Sequence, residues 1–563
     1  MSSPQAGSDN TGINQLWPPG TVRLEANKDS KTLILQPPPS DDPNDPLNWP
    51  QWRKYLNMGL VCFYVAMVAE FINAPTPTWG PMNKELGYSF EILNDSYAAG
   101  CAALGVGSLI LIPFALKFGR RPIYLFSTVV QFALSIWSAK MQTVADLMLI
   151  NVIQCFFSSL AESIVQMTIA DVFFVHERGR MNSLYVWVWL LSSYMGMLIA
   201  GFVAKGLGWR WVWWLNVIIF GITIFLVAFA YEETKYCPPP EATVPGQLPA
   251  VEEHKWGDPE IVTVNKLKRD GSAPGDTDIV SIPAAENMPA HGVTSIKINP
   301  NIPKKTYLQK LALTTITPPS GDSNDSFIRH MYQPLILLTT VPAIAYTALV
   351  YGILVGLGDV MSTLLSSYLT IAPYNFTSDQ VGLMSLPRVI GVTIGAVIVG
   401  PLSDWWIVYY SRRRDGIYDP ESRLWCVVPF ILFVPAGALL FGFGLNNHMP
   451  WPVVAVGLVL YNIGVTPINS LSITYLTDSY TDVIGDALVG VTLIRNMFST
   501  AFIFALEPWI HRVGIKYVLV TILLIACLIL VGFGGFIRFG KGFRERTAAR
   551  YQYYAARQYK TRA

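Results

Sequence analysis

Charged residues are scarce in this sequence, and they are unevenly placed. Only 14% of the 563 residues are Asp, Glu, Lys or Arg, whereas a soluble domain carries about 25%. The charges collect near the start of the chain, in a central block, in short loops and near the end. Between them lie apolar runs of about 20 residues, long enough to cross a hydrocarbon core about 30 Å thick. The sequence therefore predicts a membrane protein and not a soluble enzyme.

Motifs for cofactors, metals and nucleic acids are also missing. The chain has no GxxxxGK[ST] segment that would hold ATP phosphates, and its six cysteines form no CxxC pair, so we expect them to pack as small apolar residues. A net charge of +2 gives no basic surface for nucleic acid. No basic region followed by an apolar core begins the chain, so the first apolar run is predicted to be the insertion signal. We expect no cofactor, no metal and no nucleic-acid partner.

Twelve apolar spans are predicted, six on each side of a long polar stretch. They lie at roughly 54–76, 92–115, 122–139, 145–173, 181–204, 210–231, 334–369, 380–402, 424–445, 452–477, 487–509 and 516–538. The span at 334–369 is too long for one straight helix, so it either projects beyond the bilayer or breaks near Gly352, Gly356 or Gly358. The fold class is an all-α membrane protein with two pseudo-symmetric six-helix bundles.

The same pattern divides the chain into five parts. The predicted bundles cover 54–232 and 332–539, and a cytoplasmic linker covers 233–331. A disordered cytoplasmic N-terminal tail (1–53) and a C-terminal tail (540–563) complete the chain.

Basic residues in the short loops predict the orientation. Loops after spans 2, 4 and 8 carry clusters such as Lys117, Arg120 and Arg121, whereas the opposite loops carry single basic residues. Both termini and the linker are therefore predicted to be cytoplasmic, in a multi-pass plasma-membrane protein. This topology places the loop after span 7 outside, and the sequon at Asn375 predicts glycosylation there.

The two halves resemble an internal repeat, since each has a basic cluster directly after its second span. Such repeats are typical of transporters whose substrate binds near the membrane midplane between the halves. Alternating access between the two membrane faces is the mechanism that this architecture predicts.

Several segments resemble the major facilitator superfamily, and within it the fungal drug:proton antiporters with twelve spans. They include Asp45–Lys54 before the first span, Phe118-Gly-Arg-Arg-Pro122 after the second, and Gly208-Trp-Arg-Trp211 at the sixth. Tyr475–Tyr480 and Leu493-Ile-Arg495-Asn496 resemble the fungal polyamine and cation transporters of that group. The resemblance implies the major facilitator fold.

The sequence departs from that family pattern at three signatures, one of which is the helix 5 antiporter signature, where Gly196-Met197 replaces Gly-Pro. In the signature after helix 2, Ile112 and Leu116 replace a Gly and the Asp that braces the two halves, whereas the second half keeps Asp404. In helix 4, Asn151 and Cys155 replace an Arg linked to proton coupling and a Gly. The resemblance assigns gating or bracing to the following residues: Lys117, Gly119, Arg120, Arg121, Asp404 and Asp478.

Ionisable residues inside the spans are functional candidates, because a charge in the bilayer costs about 2.5 kcal/mol or more. Glu70, Glu162 and Arg495 are such residues, and each could instead form a structural ion pair. Asp359 and Arg388 are expected nearer the outer face, where gating or solvation would explain them, and a substrate role is the alternative.

Helix 10 carries a polar stripe, since Asn462, Thr466 and Asn469 fall on one helical face. The stripe could line a substrate path or bond to neighbouring helices. Among the aromatic residues of helices 5 and 7, Trp187 or Tyr346 could stack on a flat or cationic ligand.

Three functions remain open from the sequence. The first is export of a drug, toxin or secondary metabolite by secondary transport, and the second is uptake of a cationic nutrient such as a polyamine. The acidic Glu70 and Glu162 favour the second. The third is a transport-like sensor that signals through its linker. The expected partners are a small-molecule substrate, protons as the coupling ion, and the lipid bilayer.

Overall fold

The computed structural model describes residues 18–23, 40–236, 302–311, 329–414, 417–555 and 557. Twelve helices of this described part are long and apolar enough to cross a membrane. The prediction of an all-α membrane protein with twelve spans is therefore confirmed.

The twelve long helices are named α1 to α12 in chain order. The first half contains α1 (Gln51–Asn73), α2 (Phe90–Phe118), α3 (Arg121–Ala139), α4 (Val144–Val172), α5 (Val175–Gly206) and α6 (Trp209–Phe229). The second half contains α7 (Pro342–Tyr368), α8 (Leu386–Arg412), α9 (Phe433–Asn446), α10 (Trp451–Ser479), α11 (Ile484–Val513) and α12 (Ile515–Ala555).

Shorter elements connect these helices. Short α-helices are Trp79–Leu86, Tyr307–Lys310, Arg329–Thr340, Ser378–Leu383 and Val428–Ile431, and 3₁₀ helices are Pro46–Asn48, Thr76–Thr78, Pro420–Val427 and Thr481–Val483. Two short strands, β1 (Val22–Arg23) and β2 (Ile417–Tyr418), pair antiparallel, with Val22 opposite Tyr418.

The packing repeats from one half to the other. In the first half α1 packs on α5, α2 on α4 and α3 on α6; the second half has the matching pairs α7 with α11, α8 with α10 and α9 with α12. Between the halves, α2 packs on α11 and α5 packs on α8. The two bundles are therefore pseudo-symmetric, as the sequence predicts.

Local sequence signals explain where several helices begin. Ser89 precedes α2, and its hydroxyl accepts a hydrogen bond from the Ile92 amide at 3.2 Å. Thr143 and Asp146 form a capping box at the start of α4. Such caps satisfy backbone N–H groups that the first helical turn leaves without partners.

The long apolar stretch at 334–369 does break, but not at its glycines. Arg329–Thr340 and α7 are separated by Val341, whose backbone is extended (φ −111°, ψ 104°). Pro342 causes the break, because a residue before proline is disfavoured in helical geometry. Gly352 and Gly356 instead lie inside α7, where they allow close packing against Phe498 and Phe502.

Parts of both predicted tails are ordered, which corrects the boundaries at 53 and 540. Within 1–53, residues 18–23 form β1 and its turn, and Leu47 is buried within the 3₁₀ helix Pro46–Asn48, which Asp45 caps. At the other end α12 continues to Ala555, because its last turns carry buried Arg544, which pairs with Glu421. Most of the predicted linker, including 240–300, lies outside the described residues.

The bundle has two ends, which we name by their residues. The basic end carries Arg120 after α2, Arg178 in the first turn of α5 and Arg423 in the 3₁₀ helix Pro420–Val427, together with the strand pair β1–β2. The opposite end carries the loop with Asn375.

Candidate functional site

A central cavity of about 100 Å³ lies between the two halves. Helices α1, α2, α4 and α5 line it from the first half, and α7, α10 and α11 line it from the second. Its charged and amide side chains are Asn73, Glu162, Asp359, Asn469, Arg495 and Asn496. Its aromatic side chains are Tyr97, Trp189, Tyr194, Tyr351 and Tyr461.

Glu162 and Arg495 form a buried ion pair across the cavity wall. Glu162 on α4 belongs to the first half and Arg495 on α11 to the second, and the Arg495 guanidinium donates to the Glu162 carboxylate. Arg495 also donates to Asn496 at 3.1 Å and lies 5.6 Å from the centre of the Tyr351 ring. Two predicted candidates are thus brought together, and Glu162 is not free to bind a cation while this pair holds.

Asp359 is the second carboxylate of the cavity. The Ser499 hydroxyl donates to it at 2.6 Å, and within the described residues it has no ion-pair partner within 4.0 Å. Arg388 is buried nearby, where it donates to Ser362 and lies 5.2 Å from the Tyr194 ring centre. The sequence left gating, solvation and a substrate role open for Asp359, and α7 carries this side chain into the central cavity.

The three residues of the polar stripe of α10 have different surroundings: one lines the central cavity and the others contact neighbouring helices. Asn469 lines the cavity, whereas Asn462 is held by Tyr194, whose hydroxyl donates to it at 3.1 Å. Thr466 packs near Gly395 of α8. Only one of the three residues is therefore available to a ligand in this conformation.

Glu70 and Asn151 lie outside the central cavity. Glu70 packs against Gly196 of α5, and its nearest donor is the Asn216 amide at 3.5 Å. Asn151 donates to Ser96 and lines a smaller cavity of about 20 Å³ inside the first half. Tyr97 lines both cavities, so it separates the Asn151 pocket from the central one.

The cluster after α2 braces elements of the first half. Gly119 has φ +104°, and a Cβ there would lie 2.4 Å from the Glu233 carboxylate, so the position requires glycine. Glu233 accepts the backbone amides of Arg120 and Arg121 at 3.0 and 3.1 Å. The Arg120 side chain pairs with Asp171 at 3.2 Å.

The last turn of α2 carries a further basic residue of the predicted set. The Lys117 ammonium lies 5.5 Å from the centre of the Phe118 ring.

Five residues at the basic end form a contact between the halves, which we call the basic-end gate. They are Gly179 of the first half and Asp404, Tyr418, Arg423 and Asp478 of the second. A Cβ on Gly179 would lie 2.7 Å from Arg423 and 3.1 Å from Asp404. Arg423 pairs with Asp478 at 2.7 Å, and Tyr418 donates to Asp478 at 2.6 Å.

The symmetry-related position uses apolar contact instead. Leu116 stands where the family pattern has an Asp, and it lies against Gly485 of α11, with Met167 on the same side. The basic end is therefore closed by a polar contact on one side and an apolar contact on the other.

The opposite end is closed as well. Gly201 of α5 lies against the Ser378 carbonyl, where a Cβ would be 2.7 Å away, and Lys205 pairs with Asp379 at 2.8 Å. The halves thus touch at both ends of the central cavity, and we call this conformation occluded. Asn375 at this end is exposed, as a glycosylation site must be.

The two aromatic residues that the sequence singled out for stacking lie outside the cavity, whereas Trp189 and Tyr194 of α5 and Tyr351 of α7 line it. Tyr346 stacks on Phe536 at 4.2 Å, and Trp187 donates to Thr393, so neither lines the cavity. Tyr97 and Tyr461 line it without having been singled out. Both are isolated tyrosines in long apolar helices, and no sequence pattern distinguishes them from packing residues.

Comparisons with known proteins agree with this architecture. The family model described as Major Facilitator Superfamily matches residues 59–498. An uncharacterised MFS-type transporter of Schizosaccharomyces pombe is 29% identical over 92% of this chain and 89% of its own length. Protein HOL1 of Saccharomyces cerevisiae is 28% identical, with 86% of each chain covered. The MFS antiporter QDR3 of Candida albicans is 24% identical over 91% of this chain and 82% of its own.

Solved structures show the same fold at low sequence identity. The proton:xylose symporter XylE, bound to 6-bromo-6-deoxy-D-glucose, superposes with a TM-score of 0.56 at 11% identity, covering 87% of this chain and 97% of its own. The human organic anion transporter MFSD10 gives a TM-score of 0.55 at 14% identity, with 86% of this chain and 100% of its own covered.

Proposed function

The chain belongs to the Major Facilitator Superfamily and is a secondary transporter, not an enzyme, and we propose that it exports a flat small organic molecule such as a drug, toxin or secondary metabolite. Substrate would bind in the central cavity and leave by alternating access. The observation that carries this proposal is the set of five aromatic rings around the cavity.

Aromatic rings suit such a substrate because each offers a flat face for stacking. Hydrogen bonds hold two of the five rings: Tyr461 donates to the Leu354 carbonyl, and Tyr194 donates to Asn462. Rings that are fixed before binding lose little conformational freedom when a ligand arrives. Trp189 is half-buried on α5 and presents the largest ring of the set.

Asp359 supports a second candidate, uptake of a cationic nutrient such as a polyamine. A carboxylate with a hydroxyl partner and no ion-pair partner among the described residues could bind an ammonium group. Glu162 no longer supports this candidate, since Arg495 neutralises it. A proton could compete with the cation at Asp359, which would couple transport to a proton gradient.

The experiment is an efflux and uptake screen of labelled flat aromatic compounds and polyamines in cells, with and without a proton gradient. Trp189→Leu should reduce transport of a flat substrate by about tenfold, since stacking contributes about 0.5–1.5 kcal/mol beyond buried area. Trp211→Leu is the matched control, because Trp211 is exposed and is not one of the lining residues. Equal transport by both variants would contradict the proposal.

The second candidate is tested by Asp359→Asn in the same cells. Polyamine uptake should fall strongly if Asp359 binds the cation, and efflux of a neutral flat compound should persist. Absence of flux for every compound in reconstituted vesicles would favour the sensor hypothesis instead.

We also propose that the basic end faces the cytoplasm and that the protein resides in the plasma membrane. Asn375 would then face outside, and a glycosidase should shift the mobility of protein made in eukaryotic cells. Asn375→Gln should remove that shift. Cleavage of the 240–325 region by protease added to intact cells would contradict this orientation.

A further inference from the structure

The N-terminal segment reaches both halves of the molecule at the basic end. Residues 40–50 are anchored on the first half, where the Tyr236 hydroxyl donates to Asp42 at 3.2 Å and Leu47 is buried. Burial raises the pKa of Tyr236 to about 12, so its phenol remains protonated and keeps donating. Residues 18–23, which lie earlier in the chain, are anchored on the second half instead.

Backbone contacts fit residues 18–23 closely to the second half. β1 pairs with β2, and Gly20 lies against the end of α10. A Cβ on Gly20 would lie 2.5 Å from the Asp478 carbonyl oxygen and 2.7 Å from the Ser479 Cα, and the residue has φ +80°. Only glycine can occupy this position without displacing the segment.

Arg544 of α12 holds the same segment through its side chain. It is completely buried, and it donates two hydrogen bonds to Glu421, at 2.7 and 2.6 Å. Its remaining donors reach the Pro19 carbonyl and, at 3.0 Å, the Thr21 hydroxyl. The Thr21 hydroxyl in turn donates to Asp419 at 3.0 Å.

The docked segment is directly connected to the basic-end gate. Val22 pairs with Tyr418, and the Tyr418 hydroxyl accepts from Arg423 at 2.8 Å while it donates to Asp478 at 2.6 Å. Arg423 is the residue that lies against Gly179 of the first half. The N-terminal strand thus fixes the strand whose tyrosine orients the gate.

We propose that residues 18–23 are a latch whose partner surface is β2, the end of α10 and Arg544. The docked latch positions Tyr418 and Arg423 for contact with Gly179, and so stabilises the state that is closed at the basic end. Arg544 is a positioning residue in this arrangement, since it acts through the latch. Undocking of the latch shifts the population toward the state that is open at this end.

The test measures the distance between the halves in the full chain, with spin labels on unnatural residues at exposed positions 180 and 412. Gly20→Ala and Arg544→Gln should raise the ratio of long to short distances by about tenfold, because each removes charge-assisted or close backbone contacts of the latch. Arg546→Gln is the matched control, since Arg546 is exposed on the same helix. It should leave the distribution unchanged.

A truncated chain without residues 2–23 provides the second measurement. It should show the same shift, and a synthetic peptide of residues 14–27 should restore the short distance, which a merely structural effect on folding would not do. Unchanged distances in both Gly20→Ala and the truncated protein would overturn the proposal. So would an equal shift in Arg546→Gln. These distances require no substrate, so the outcome is independent of the proposed substrate class.

Discussion

Buried charge at single residues decides what the central cavity can bind. Glu162 and Arg495 neutralise each other across the halves, and Asp359 has a hydroxyl partner instead of a cation. Removing two charges from water is costly, but removing one member of a buried pair costs more, because the other remains uncompensated. Neither member of the pair can therefore be removed alone without destabilising this conformation.

Glu162→Gln should strongly destabilise the occluded protein. The change leaves the Arg495 guanidinium buried without its carboxylate, at a cost of about 3–5 kcal/mol. We expect a lower thermal midpoint of the purified protein and less folded protein in the membrane. Adding Arg495→Gln should recover most of this loss, since both charges are then absent.

Asp359→Asn is the control for the stability measurement on Glu162→Gln. It removes a carboxylate from the same cavity without breaking an ion pair within the described residues. Its thermal midpoint should remain near that of the unchanged protein. If Glu162→Gln proves as stable as Asp359→Asn, the ion pair is not a feature of the populated state.

Sequence reasoning identified the charged residues of the cavity but not their arrangement. Glu162 and Arg495 were separate candidates because they are 333 positions apart in the chain, and no local pattern predicts a contact at that separation. Asp359 remained open between gating, solvation and substrate binding, because its position along α7 indicates depth in the membrane but not which face of the helix points inward. For Tyr97 and Tyr461, neither charge nor position along the helix indicated that they line the cavity.

At the scale of elements, small residues determine how closely α9 and α10 approach. A Cβ on Gly437 of α9 would lie 2.2 Å from the Tyr461 backbone nitrogen, and one on Gly457 of α10 would lie 2.7 Å from the Phe441 nitrogen. Small residues at helix contacts in membranes allow such backbone proximity. Since Tyr461 lines the cavity, this contact also sets the position of one cavity wall.

Gly437→Ala should therefore destabilise the protein, by about 1–3 kcal/mol if it behaves like other overpacking changes. Gly535→Ala on α12 is a matched control, because nothing lies within 4 Å of a Cβ there and alanine favours helix formation. Thermal midpoints of the two purified variants provide the measurement. A Gly437→Ala protein as stable as Gly535→Ala would show that α9 and α10 separate more easily than the structure indicates.

The sequence predicted which segments form membrane-spanning helices, but not where those helices begin and end. The twelve spans follow from apolar length alone, but the break at Val341 depends on the proline after it and the extension of α12 depends on a distant partner, Glu421. The order in residues 18–23 likewise comes from pairing with residues 417–418. Composition predicts disorder for such a segment, because composition carries no information about a strand partner nearly 400 residues away.

At the scale of the whole molecule, an occluded cavity requires that each end open in turn. The contacts at the two ends differ in chemistry: the basic end has the charged gate and the apolar Leu116 contact, and the opposite end has Gly201 and the Lys205–Asp379 pair. Between the cavity and the basic end, Ser183 of α5 and Ser470 of α10 also meet across the halves, with hydroxyl oxygens 2.8 Å apart.

That serine pair allows a direct test of alternating access. Ser183→Cys combined with Ser470→Cys should form a disulfide under mild oxidation, since the two side chains already touch, and the bond would hold the halves together on the basic-end side of the cavity. Transport should stop on oxidation and return on reduction, while each single variant should be insensitive to the oxidant. Undiminished transport with the disulfide verified by mass spectrometry would mean that α5 and α10 stay together throughout the cycle, so substrate would have to pass the basic end elsewhere, with the apolar contact of Leu116 and Gly485 the first place to examine.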